Sequence, residues 1–322
     1  MIKKIKILND EGERLDKFLA SRFSNYSRNY FQHLIDSDNV LVNGLPQKSK
    51  FVLNKNDQIQ IKFMQSKSDY KLNPSEIELD VIFENEDVLA INKQAGLVVH
   101  PATGNLEGTL VNALIYKYPE IVNVVYDKNS AISQSRPGIV HRLDKDTSGI
   151  ILIAKNKRAL VSLSKQIKNR SVRKIYWAIC FGWPKQKQGR IISYLGRNPK
   201  NRKEVTNLGP ADGKEAVSVY RIIKYLNDNK DNHFSLVEFN IKTGRTHQIR
   251  YQAASINLPV MGDRVYGSKK SISLSNSYNI SRQLLHAKHI EFYLPGNTKL
   301  TALEAPIPKD MELIINNFSN SD

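Results

Sequence analysis

Apolar positions along this chain keep a helical spacing first and a strand spacing afterwards. Leu15, Phe18, Leu19 and Phe23 share one helical face, which predicts a helix with a buried side. Ser27 can cap a second helix that turns Phe31, Leu34 and Ile35 inward. Val40-Leu41-Val42 reads as a strand ending at the turn pair Asn43-Gly44, and residues 57–63 alternate as a half-buried strand does. Residues 1–7 alternate lysine with isoleucine and read as an edge strand. A polar stretch from Gln65 to Pro74 marks a linker. These signals place a small domain at 1–64, a linker at 65–78 and a larger domain at 79–322.

The larger domain is β-rich. Residues 79–84 and 88–93 read as a strand pair across Asn85-Glu86-Asp87, Asn112 opens a helix, and 126–136 is expected to be a mobile surface loop. Lys157 to Lys168 has Leu160, Leu163 and Ile167 on one helical face. Residues 173–182 form the next strand, and 216–223 with 234–241 look like paired strands. Between them, 189–204 is polar and basic, with Arg190, Arg197, Lys200, Arg202 and Lys203. A further strand ends at Gly244, and Ile249, Ala253 and Ile256 mark a helix beginning near Thr246.

One stretch, Pro137 to Ala154, stands apart. Ile139-Val140 leads into a polar cluster, and the cluster leads into a continuous apolar run rich in β-branched residues. Locally this is strand, polar loop and buried strand, with Thr147-Ser148-Gly149 supplying turn chemistry. The loop sets His141, Arg142, Asp144, Lys145 and Asp146 beside the most hydrophobic strand of the chain, and burying charge unpaired is costly. Pattern alone leaves two readings open: a structural Arg–Asp pair closing a connection, or a catalytic loop.

Composition narrows the partner. With 322 residues, 40% hydrophobic, the chain can bury a real core, and 25% charged residues is ordinary. A formal charge of +17 is not ordinary, and it favours a polyanion, nucleic acid before an anionic membrane. No stretch is long and apolar enough to span a bilayer, and the N-terminus lacks the apolar core of a signal peptide. Cys180 is the only cysteine, in a setting that suits a small buried hydrophobe. No disulfide and no metal site are expected, in a soluble, cytoplasmic protein.

The central stretch also carries a likeness. His141-Arg142-Leu143-Asp144, followed by Thr147-Ser148-Gly149, resembles the signature of the RluA-type pseudouridine synthases, which isomerise uridine in RNA to pseudouridine. The resemblance implies that Asp144 is the essential carboxylate. Ala95 to Pro101 is similar to a second family motif, with Gln94 where proline is usual. Arg173 to Gly182 is similar to a third, whose tyrosine packs on the target base, here Tyr176. Read alone, that Tyr is an ordinary core residue. The basic stretch 189–204 resembles the family's variable insert, a surface suited to phosphate contacts. Thr243-Gly244-Arg245-Thr246-His247-Gln248-Ile249-Arg250 matches a fourth motif and implies that Arg245 pairs with Asp144. From the residues alone, the helix start beside Arg245 and His247 suits an anion, either an RNA phosphate or a protein carboxylate. Tyr251-Gln252 replaces the usual Val-His. Gly262 to Gly267, Leu285-His286-Ala287 and Glu304 to Pro308 follow in family order, so the likeness spans nearly the whole chain. Residues 1–64, with Arg22, Arg28, Lys48 and Lys50, resemble the S4 RNA-binding module; taken alone they are a generic small α+β unit.

The implied fold is α+β: a catalytic domain on a mixed, mostly antiparallel sheet, preceded by an S4-like module. The implied chemistry breaks the N1–C1′ bond, rotates the uracil and rejoins it through C5, with no cofactor. Asp144 would act at the sugar as nucleophile or base, with Arg245 holding it ionised and Asp146 shaping the loop. Arg142 would enter the gap left by the flipped base. Tyr176 would stack on that base and assist, through water, in removing the C5 proton. His141, Thr147, His247, Arg28 and Arg22 are the further expected RNA contacts. The S4-like start and the Ile307 to Met311 ending look most like the large-subunit (23S) ribosomal RNA branch, with tRNA as the other target. A monomer is expected. Two competing readings are a uracil-releasing N-glycosylase using Asp144 with Asp146, and a non-catalytic RNA-binding ribosome assembly factor.

Overall fold

The computed structural model describes residues 2–318 except 9–10, 24–25, 27, 64–71, 103–104, 128–129, 200 and 202–203. Ser27, Lys200, Arg202, Lys203 and residues 65–71 of the expected linker lie outside the described residues. The chain forms two compact units, residues 1–73 with 125–137 and residues 74–124 with 138–322.

The first unit contains β1 (Ile2–Lys6), α1 (Leu15–Arg22), α2 (Arg28–Asp36), β2 (Val40–Val42), β3 (Leu45–Pro46) and β4 (Gln58–Lys62). Its strands pair antiparallel in the order β1-β4-β2-β3, with lysine-bearing β1 at an edge, where charge discourages further pairing. The helical spacing of the sequence becomes the core. Leu15, Phe18, Leu19, Phe31, Leu34 and Ile35 are buried against Val40, Val42, Ile59 and Ile61, each large side chain contributing about 1.5–3 kcal/mol. Asp16, fully buried on α1, accepts hydrogen bonds from Arg14, Arg28 and Gln32. Burial alone would raise the pKa of this carboxyl, yet the bonds from Gln32, Arg28 and Arg14 outweigh that and hold it below its ordinary value.

The chain continues with β5 (Val81–Glu84), β6 (Val88–Lys93), α3 (Leu110–Lys117), a 3-10 turn at Pro119–Asn123, and one-turn α4 (Ala131–Gln134) of the first unit. Then come β7 (Ser148–Ala154), α5 (Lys157–Lys168), β8 (Arg173–Phe181), β9 (Gln188–Arg197), β10 (Val205–Asn207), β11 (Lys214–Asn227) and β12 (His233–Ile241). The final elements are α6 (Gln248–Ser255), α7 (Lys269–Ser277), β13 (Leu285–Tyr293), β14 (Leu300–Glu304) and α8 (Lys309–Asn317). Ten strands make one sheet in the order β10-β9-β11-β12-β8-β13-β7-β6-β5, with β14 paired to β13. Of the pairs described, only β13–β7 is parallel, so the sheet is mixed and mostly antiparallel.

Three local expectations need revision. Ile139-Val140 is not a strand; Ile139 makes a single bridge to Ile153. Ser148 and Gly149 are not turn residues but the start of β7, all seven of whose residues are buried. Gly149 has φ +108°, and a Cβ there would lie 2.3 Å from the Ala287 carbonyl oxygen, so the β7–β13 contact admits only glycine. The basic stretch after β8 begins as sheet: β9 buries Ile191, Ser193 and Leu195 in alternation against β11. Among the described residues no helix is long and apolar enough to cross a membrane.

Candidate active site

The polar loop between Ile139 and β7 opens on a cleft of about 490 Å³ floored by β8 and walled by residues 241–250. Asp144 lies in it with its side chain 19% exposed. The Thr147 N–H donates to the Asp144 carbonyl at 3.1 Å, closing a tight turn over Lys145 and Asp146. Two cations hold that turn from behind. Lys93, 1% exposed, donates through Nζ to the carbonyls of Gln94, Leu97 and Lys145 at 2.8, 3.0 and 2.9 Å. Arg282 donates to the Asp146 carbonyl at 3.1 Å and forks onto Asp310 at 2.6 and 2.8 Å. Burial pushes the Lys93 ammonium down to about 7, against the pull of Asp146.

The cation beside Asp144 is Arg250, not Arg245. Arg250 Nη1 stands 3.4 Å from Asp144 Oδ2, and the same guanidinium forks onto buried Asp263 at 2.6 and 2.9 Å. Arg245 instead donates its Nε to the Glu215 carbonyl at 3.0 Å and remains exposed on the cleft wall. The backbone is the reason. His247 is left-handed (φ 53°), so the chain turns between Arg245 and α6, and the side chain that reaches Asp144 comes from the helix. His247 itself brings Nε2 to 3.9 Å from Asp144 while Nδ1 pairs with the Tyr266 hydroxyl at 3.0 Å. Burial lowers the pKa of that imidazole, with Asp144 opposing. Asp263 would be raised by burial, but Arg250 and the N–H groups of Val265 and Tyr266 hold it well below the usual carboxylate range.

Tyr176 on β8 lines the cleft at 7% exposure, and its hydroxyl makes no hydrogen bond among the described residues. Burial first, then the charge of Asp144, pushes the phenol above its ordinary pKa. Arg142, exposed at the same cleft, likewise has no side-chain partner among the described residues.

Three other expected RNA contacts sit differently. His141 lines the cleft, but its Nε2 accepts the Leu152 N–H at 2.9 Å, and burial, with Lys174 nearby, lowers it to about 3. It is a neutral brace between loop and β7. Thr147 is among the residues lining the cleft, but its hydroxyl is buried and has no hydrogen-bond partner among the described residues. In the first unit Arg28 is tied to Asp16 at 2.7 Å, whereas Arg22 is exposed and without a side-chain partner among the described residues. Sequence reasoning assigned no role to Arg250, Asp263, Lys93 or Arg282. Three of these, Lys93, Arg250 and Asp263, lie inside segments already matched to family motifs, which was the available signal.

The family model for RNA pseudouridylate synthase matches residues 87–255, and the S4 domain model matches residues 13–59. The chain belongs to the RNA pseudouridylate synthase family. Among curated relatives of this synthase, "Ribosomal large subunit pseudouridine synthase D" of Buchnera aphidicola is 39% identical, covering 97% of this chain and 94% of the relative. The protein of the same name from Zymomonas mobilis is 38% identical, covering 94% and 93%. In structure, human RNA pseudouridylate synthase domain containing 1 aligns over 72% of this chain and 84% of its own with a TM-score of 0.57. At 24% identity that likeness speaks to fold alone. The synthase is thus an RNA-modifying isomerase carrying an S4 domain.

Proposed function

We propose that this synthase converts uridines of large-subunit (23S) ribosomal RNA to pseudouridine in the cytoplasm, with Asp144 as the reacting carboxylate. The observation that carries this is Asp144 itself: a partly exposed carboxylate on a pinned turn, beside Arg250 and facing an open Tyr176 hydroxyl. The names of the relatives favour the ribosomal target.

The reaction breaks N1–C1′, turns the uracil and forms C5–C1′; the C5 proton leaves and N1 gains one. Asp144 acts at the ribose, and Arg250 orients it and offsets its charge. The base must first leave its stack, at a cost of a few kcal/mol. Arg142, exposed and without a side-chain partner among the described residues, fills the gap. Tyr176, protonated because its phenol is buried, offers a ring face and a neutral hydroxyl rather than a phenolate base.

RNA from cells lacking the protein, mapped for pseudouridine by carbodiimide-dependent reverse-transcription stops, tests this directly. Stops in 23S rRNA should disappear and return with wild-type protein or Asp146→Asn, but not with Asp144→Asn. Restoration by Asp144→Asn would remove Asp144 from the chemistry. Missing stops confined to tRNA would move the target, and none at all would favour a binding factor.

A further inference from the structure

Lys174 is the one buried cation of the cleft with no hydrogen-bond or ion-pair partner among the described residues. It is 9% exposed, on β8, two residues before Tyr176. Strand alternation puts the two on one face, about 6–7 Å apart along the strand. That is the scale of the path from a pyrimidine ring across its ribose to its phosphate. Lys174 and Gly244 both line the cleft, and a Cβ built on Gly244 would lie 3.8 Å from Lys174 Nζ, an ordinary contact.

The surroundings make the unpaired charge costly. Burial alone lowers its pKa to about 8, and no carboxylate opposes that. His141 is neutral and its Nε2 is committed to Leu152. Arg170 on the rim already pairs with Glu215 at 3.0 Å, and Lys168 and Lys242 add only like charge. Buried charges are ordinarily paired. A cation held dry, unpaired and open to a substrate cleft has its partner on the substrate, and uridine is neutral whereas its phosphodiester carries a full negative charge.

We infer that Lys174 binds a backbone phosphate of the target nucleotide, fixing the flipped uridine against Tyr176. The inference rests on the cleft being the RNA site and adds a specificity-determining contact to it. Lys174 is then a binding group whose loss weakens productive RNA binding and leaves the saturated rate almost unchanged.

The test compares wild type with Lys174→Met and Lys174→Arg on 23S rRNA labelled at uridine C5 with tritium, isolated from cells lacking the protein. Tritium release under single turnover gives the half-saturating concentration and the limiting rate, and filter retention of the same RNA gives affinity across a salt series. Lys174→Met should unfold at no lower temperature than wild type, because an unpaired buried charge has been removed. It should bind about tenfold more weakly, with a log–log salt slope smaller by about 0.7–0.9, while Lys174→Arg keeps the slope. An unchanged slope, with or without lost affinity, overturns the phosphate contact. So does a fall in limiting rate at unchanged affinity, which would place the amine on the base. Absence of tritium release by wild type would overturn the ribosomal reading instead, since affinity and slope are read on the same RNA.

Discussion

Arg250→Met separates the arrangement seen here from the pairing implied by the motif. Arg250 is 7% exposed in its side chain and Asp263 is 0% exposed, so their two bonds at 2.6 and 2.9 Å are dry. Removing one side of a buried pair costs about 3–5 kcal/mol, because the surviving charge stays buried. Asp263 keeps the N–H donors of Val265 and Tyr266, which puts the expected loss near the lower end, about 3 kcal/mol. Adding Asp263→Asn should return most of that stability, since a neutral amide can still accept both N–H groups. Tritium release should stay at least tenfold down in both variants, because Asp144 has lost its guanidinium in each. Arg245→Met, which loses only a surface bond to the Glu215 carbonyl, should leave urea unfolding within about 0.5 kcal/mol of wild type. Urea titrations by linear extrapolation with parallel tritium release decide the matter. If Arg245→Met inactivates the enzyme while Arg250→Met is stable and active, the ion-pair reasoning is wrong.

That contrast shows what the sequence could and could not disclose. Elements whose cause is local spacing were legible: Lys157 to Lys168 is helix from end to end, and Leu15, Phe18 and Leu19 are core. The loop with Asp144 was legible as a place where charge meets a buried strand. Which of two arginines in one motif reaches Asp144 depends on a left-handed His247, which apolar periodicity does not encode. Arg28, read as an RNA contact, stays exposed but is paired with Asp16, twelve residues earlier, a pairing that exists only once α1 and α2 pack. His141 looked like a ligand, but its acceptor serves the Leu152 N–H, a pairing fixed only when β7 folds back beside the loop. The alternation Ile191, Ser193, Leu195 was visible, but the arginines around it drew the reading to a basic insert and its phosphate contacts rather than to a strand.

Two further outcomes concern how the loop is held. Gly149→Ala would set a Cβ 2.3 Å from the Ala287 carbonyl oxygen at φ +108°; steric clash and backbone strain together should cost more than about 3 kcal/mol, read as lost soluble yield and a lower unfolding midpoint. Normal stability would mean that β7 and β13 can part without penalty. The second is a pH dependence centred on His286, 1% exposed, whose Nδ1 meets the Ser148 hydroxyl at 2.9 Å at the start of β7. Burial, then Arg282 and Lys288, lowers this imidazole from 6.5 to about 4. The unfolded chain therefore takes up a proton below pH 6.5 that the folded chain refuses until about pH 4, so acidification between those values favours unfolding. At pH 5 the loss relative to pH 7.5 is about 2 kcal/mol from this group. His141, lowered to about 3, adds in the same direction. The lowered carboxyls of Asp16 and Asp263 contribute below the ordinary carboxyl pKa of 3.8, outside this window. Urea midpoints of wild type should therefore fall between pH 7.5 and pH 5. In His286→Leu the fall should shrink by about 2 kcal/mol, even though the variant starts less stable for want of its bond to Ser148. An equal fall in both proteins would show that His286 takes its proton in the folded state as readily as in the unfolded one.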